Sequence, residues 1–181
     1  MKVSLLGPTN IENLSSIIGL PKNEIQEIAE EIGKILADNK CNLVIFFNYS
    51  GILKMVGDSY KKEGGKLEML YTENDYDWET KIYIKDLKEA DIKTKKDSWH
   101  DMLLSLVSDS EIVLCAGLSA GVMAELGYMK FNYQENKGKA KLIIGIKELL
   151  RDEKFPVEFC DMEKIMKVVS IKELDEIIKN S

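Results

Sequence analysis

Short runs of consecutive apolar residues alternate along the chain with longer segments in which apolar residues recur every three or four positions. KVSLL (2–6), ending at Gly7-Pro8, reads as a first strand. NLVIFF (42–47) shows no polar alternation, the pattern of a strand covered on both faces in a parallel sheet. KLEMLY (66–71), EIVLC (111–115) and Lys141–Ile146 continue the series, and Val168-Val169 adds a short strand near the end. From Asn23 to Asn39 the residues Ile25, Ile28, Ile32, Ile35 and Leu36 fall on one helical face, with Asn23 as the expected N-cap. Further helices are expected from about Ile52 to Glu63, stopped by Gly64-Gly65, from about Asp97 to Val107, from Ser119 or Ala120, and from Ile171. Residues 73–95 are polar and acidic, offer only a short strand at Ile82–Ile84, and read as an excursion over the site.

Alternating strands and helices predict an α/β fold: a doubly wound parallel sheet with helices on both faces, in one domain spanning 1–181, with the five main strands ordered 3-2-1-4-5. Right-handed crossovers bring the residues that follow each strand to one edge of such a sheet, where open α/β folds bind ligands. Three loops converge there: Gly7, Thr9 and Asn10 in the first; Asn48, Ser50 and Gly51 in the second; Gly117, Ser119, Ala120, Gly121 and Val122 in and just after the third. Glycine permits close backbone approach and a helix N-terminus offers free N–H groups, which together suit a phosphate.

Composition narrows the partners. With 181 residues and 45% hydrophobic content the chain supports a substantial core. Cys41, Cys115 and Cys160, three in number, and a single histidine make neither a disulfide framework nor a zinc site, so a cytoplasmic setting without a metal is expected. No apolar run approaches the roughly 20 residues that span a bilayer, so no membrane partner is expected. A net charge of −6 with mixed signs offers no basic stripe for a nucleic acid polymer. A small phosphorylated molecule remains compatible.

Two motif resemblances sharpen this picture. SGILKMVGDSYKKEGGKLEML (Ser50 to Leu70) resembles the G-L-M-x-x-V-x-x-x-x-x-x-x-G-G segment of the Lonely Guy (LOG) family and the wider SLOG superfamily, through Gly51, Leu53 or Ile52, Val56, Gly64 and Gly65. GLSAGVMAE (117–125) stands where that family has P-G-G-x-G-T-x-x-E, matching at Gly121 and Glu125. SAGVMAELGYM is also similar to the D-S-G-T-x-x-E-L-G-Y-A pattern of nucleoside 2-deoxyribosyltransferases and deoxynucleoside 5′-monophosphate N-hydrolases, sharing Gly121, Glu125, Leu126, Gly127 and Tyr128. These resemblances imply a Rossmann-like fold, no cofactor, a homodimer, and a bound nucleoside monophosphate whose base–ribose bond is cleaved or exchanged, with Glu125 as nucleophile or electrostatic stabiliser.

A carboxylate there makes chemical sense, because breaking an N-glycosidic bond builds positive charge on the sugar. The alternative for Glu125 is a solvated helix position. The departures from the LOG pattern are specific: Val122 replaces a threonine, and the Arg-Lys pair of the preceding helix falls at His100-Asp101. The one arginine, Arg151, lies outside every motif, which leaves His100 as the candidate donor. Two functions therefore stand side by side: an enzyme acting on an N-glycosidic bond, or a nucleotide-binding or sensing module that kept the pocket without the chemistry.

Overall fold

In a computed structural model the chain forms one seven-stranded parallel sheet. All residues except Asn136 are described, with Asp77 described in its backbone only. The strands are β1 (Lys2–Leu6), β2 (Asn42–Phe46), β3 (Glu68–Tyr71), β4 (Ile92–Lys95), β5 (Ile112–Cys115), β6 (Leu142–Ile146) and β7 (Met166–Val169). Their order is β4-β3-β2-β1-β5-β6-β7. The expected five-strand order is therefore present at the centre, with one further strand at each rim. Val3 pairs with Leu43 on one side and Ile112 on the other, so β1 is the axis of the sheet.

The helices are α1 (Ile11–Ile18), α2 (Lys22–Asp38), α3 (Gly51–Lys62), α4 (Asp77–Tyr83), α5 (Trp99–Ser108), α6 (Ala120–Gln134) and α7 (Ile171–Lys179). From β1 the chain walks outward through β2, β3 and β4, with α2 packed on α3; it then crosses back to β5 and walks the other way, with α5 packed on α6. Right-handed crossovers in opposite directions put these helix pairs on opposite faces. The core lies between: Ile25, Ile32 and Leu36 of α2 are fully buried, as are Leu43 and Ile45 of β2 and Val113 and Leu114 of β5. Each such side chain contributes roughly 1.5–3 kcal/mol by leaving water.

Several local expectations change. The first long helix begins at Lys22 after Pro21, so Asn23 lies in its first turn and is not the cap. Residues 11–18 form a helix that the strand–helix reading passed over; Asn10 caps it by accepting from the Asn13 N–H at 2.9 Å. Ile82–Ile84 is not a strand: it falls where α4 ends and a 3-10 turn (Ile84–Glu89) begins. The strand of this region is β4, whose residues pair with β3 from Glu68↔Ile92 to Tyr71↔Lys95. Among the described residues no helix is long and apolar enough to cross a membrane.

Candidate ligand-binding site

Because β1 sits where the chain reverses direction across the sheet, a crevice opens beyond the C-terminal ends of β1, β2 and β5, the position that doubly wound folds use for ligands. Gly7 and Thr9 after β1, Phe46 and Asn48 at the end of β2, and Ser119, Gly121, Val122 and Glu125 at the start of α6 line it. Glu79 and Tyr83 of α4 and Trp99 of α5 complete the wall, and the cleft holds about 210 Å³.

Glu125 decides its character. The side chain is 5% exposed and, among the described residues, has neither a hydrogen bond nor an ion pair. Burial pushes its carboxyl up to about 8, which favours the protonated form at neutral pH. A helix position explains the placement: from the N-cap Ser119, residue 125 falls in the second turn and leans back toward the helix start. Ser119 Oγ accepts the Val122 N–H at 3.3 Å, while the N–H groups of Ala120 and Gly121 have no helical partner by position. A buried carboxyl without a partner is costly, and such groups concentrate where ligands bind.

The remaining sequence candidates separate into two sets. Gly7, Thr9, Asn48, Ser119, Gly121 and Val122 meet Glu125 at the cleft. Asn10, Ser50, Gly51, Gly117, Ala120 and His100 are not part of its wall. The Asn10 side chain is taken up in capping α1, and Ser50 Oγ donates to Asn48 Oδ1 at 2.5 Å. Gly51, at φ +54°, presses on the backbone of Pro8 and Thr9, and Gly117, at φ +110°, lies against Pro8 and Leu14. His100, the candidate donor, is exposed on the first turn of α5 with its ring 6.3 Å from that of Tyr76, and it does not line the cleft beside Glu125. Among the described residues no lysine, arginine or histidine stands in the cleft wall. Tyr76 and Trp78 of the excursion are 50% and 62% exposed, and the aromatic walls are Phe46, Tyr83 and Trp99. Trp99 follows the N-cap Ser98 and packs on Phe47 at 5.7 Å between ring centroids, so a sequence reading sees an ordinary helix start there.

Cys115 is fully buried, donates to the Gly117 carbonyl at 3.3 Å, and has its thiol pushed by burial to about 12, which makes it inert. A larger groove of about 770 Å³ adjoins the cleft at Thr9, between α1, α2 and α3. Among the described residues its wall holds no unpartnered carboxyl: Lys54 pairs with Asp58 at 2.5 Å, Glu12 with Lys22 at 2.6 Å, and Glu30 accepts from Gln26, while Lys62 is exposed. The smaller cleft holds the unmet group and is the better candidate.

No protein-family model and no curated protein sequence matches this chain. Solved structures do. A molybdenum cofactor carrier protein from Chlamydomonas reinhardtii is 13% identical with a TM-score of 0.70, covering 99% of this chain and 96% of that one. The molybdenum cofactor binding protein from the phototrophic bacterium Rippkaea orientalis is 15% identical with a TM-score of 0.68, over 99% and 95% of the two chains. At this identity the similarity establishes a shared Rossmann-like α/β architecture along the whole chain.

Proposed function

We propose that this protein binds a small phosphorylated molecule containing a heterocycle, such as a nucleoside 5′-monophosphate or a cofactor of the kind its structural neighbours are described as binding, and holds it without cleaving it. The observation that supports this most is Glu125, buried and unpartnered in a crevice at the reversal point of the sheet. Gly121, where a methyl would meet only Ser119 Oγ, leaves backbone accessible to the ligand, and the helix start at α6 favours an anionic group. Holding is favoured over cleavage because among the described residues no cationic side chain lines the wall and His100 lies outside it. Both neighbours, by their descriptions, carry or bind a small molecule.

A second reading keeps N-glycosidic cleavage, because Glu125 faces the cleft as that chemistry requires. To serve as nucleophile or stabiliser it must first lose the proton that burial holds on it, a step that positive charge developing on a bound sugar assists. One experiment separates the readings: incubate the protein with a panel of ribo- and deoxyribonucleoside monophosphates, measure binding by calorimetry, and assay free base by chromatography. Binding with the base retained is expected. Release of free base that Glu125→Gln slows about 100-fold establishes the enzyme, and absence of binding to every member rejects cleavage and the nucleoside monophosphate as ligand. A homodimer belongs to the same proposal, with exposed Leu104 of α5 and Phe131 of α6 as apolar surface for it to bury; sedimentation as a monomer at micromolar concentration sinks it.

A further inference from the structure

The cleft's chemistry is lopsided. Among the described residues its ionisable side chains are two carboxyls, Glu79 and Glu125, and the Tyr83 phenol, and none is a cation. Its walls include three aromatic rings, Phe46, Tyr83 and Trp99. As a carboxylate Glu125 brings two acceptor oxygens, and among the described residues no protein donor meets them; the proton that burial holds on it passes to solvent when paired ligand donors stabilise the charge. The missing complement must come from the ligand. An anionic group at this depth would meet carboxyls, so the part of the ligand that enters presents hydrogen-bond donors, and aromatic walls select a flat one. At about 210 Å³ the cleft is smaller than the roughly 300–1,000 Å³ that encloses a whole drug-sized molecule. It therefore takes one ring system and leaves any sugar or phosphate toward the mouth, near Thr9 and the start of α6.

We propose that the cleft recognises the 2-amino-4-oxopyrimidine edge shared by guanine and pterins, whose ring N–H and exocyclic amino group point the same way and are accepted together by the two oxygens of the Glu125 carboxylate. This rests on the binding reading above and narrows it to a ligand class. The other common ring edges match less well: hypoxanthine keeps the ring N–H and lacks the amino group, and adenine presents one donor beside an acceptor. Parallel paired hydrogen bonds to a carboxylate are both strong and geometrically selective.

The test uses the full chain in calorimetric titrations with GMP, IMP, AMP, XMP and 6-hydroxymethylpterin. GMP, or 6-hydroxymethylpterin, or both bind at least about tenfold more tightly than IMP and AMP, and the relative affinity of GMP and the pterin assigns the source of the ring. In Glu125→Gln the amide N–H faces the 2-position, so preference passes from GMP to XMP, whose 2-oxo group accepts it; a destabilised variant would lose all ligands alike. Equal affinity for GMP and IMP overturns the ring assignment while leaving the binding reading intact. Retained GMP preference in Glu125→Gln overturns the role of Glu125. Failure of every probe and every other nucleotide to bind overturns both.

Discussion

Two corners of this sheet look alike in sequence and differ in what they leave unfinished. The turn from β2 into α3 (Asn48 to Gly51) and the turn from β5 into α6 (Gly117 to Gly121) are both small, polar and glycine-bearing. At the first corner the protein satisfies itself: Ser50 Oγ donates to Asn48 Oδ1, the Tyr49 N–H donates to Asp86 at 3.1 Å, and the Tyr49 hydroxyl donates to Asp58 at 2.8 Å. At the second corner Ser119 caps its helix, and one turn on Glu125 is buried with nothing to bind. Small polar residues after a strand thus mark a turn; a buried group whose complement is missing marks a site.

Breaking the closed corner has the largest expected effect. A methyl at Gly51 would stand 2.5 Å from Pro8 O and Thr9 O, at a φ of +54° that disfavours any other residue. Gly51→Ala should therefore cost about 3 kcal/mol or more in urea denaturation, combining backbone strain with overpacking. An unchanged midpoint would mean the corner yields.

Glu125→Gln should act in the opposite direction. A carboxyl whose folded value is raised to about 8 adds stability that is fully present below its unfolded value near 4.5 and is lost as pH rises through about 8. Wild-type stability should fall across that window and the variant should lack this slope. At pH 9 the variant should be more stable by about 2 kcal/mol, the relief of a buried charge less the cost of an unpaired amide. Denaturation midpoints that change in parallel with pH would show Glu125 to be solvated.

The smallest effect on stability sharpens the contrast. A methyl at Gly121 meets only Ser119 Oγ at 3.8 Å, in a helical position, so Gly121→Ala should change stability by less than about 1 kcal/mol and toward the stable side. The same methyl projects beside the cleft, and nucleotide affinity measured in parallel should fall. Loss of stability with affinity intact would reverse the assignment of the two corners.

How much of this was legible in the chain depended on where each residue's constraint comes from. The buried strands declared themselves because both faces must be apolar, and α2 because its isoleucines recur at helical spacing. Ile92–Lys95 did not: it is an edge strand held by main-chain pairing with β3 and by Thr94 Oγ1 donating to Glu68 at 2.7 Å, and neither leaves an apolar run. α1 is only eight residues, and Ser15 and Ser16 obscure its pattern, although Asn10 was a readable cap. Glu125 was legible through motif and helix phase together. Glu79, Tyr83 and Trp99 were not, because they reach the cleft from an excursion and a helix start whose placement is set by tertiary packing alone. Asp58, inside a lysine-rich amphipathic helix, reads as a surface charge; it is half exposed and accepts hydrogen bonds from both Tyr49 and Lys54.

The two outermost strands raise a separate matter. An open sheet ends in two rows of main-chain groups that invite another chain to add on. Here the rims are β4 and β7, each four residues long, and each carries exposed lysine: Lys93 and Lys95 on one, Lys167 on the other. A newcomer strand would have to set its own side chains against ammonium groups along a very short template. The sheet is thereby discouraged from growing past seven strands, and the chain can keep a row of isoleucines and valines inside while resisting edge-to-edge aggregation as it folds.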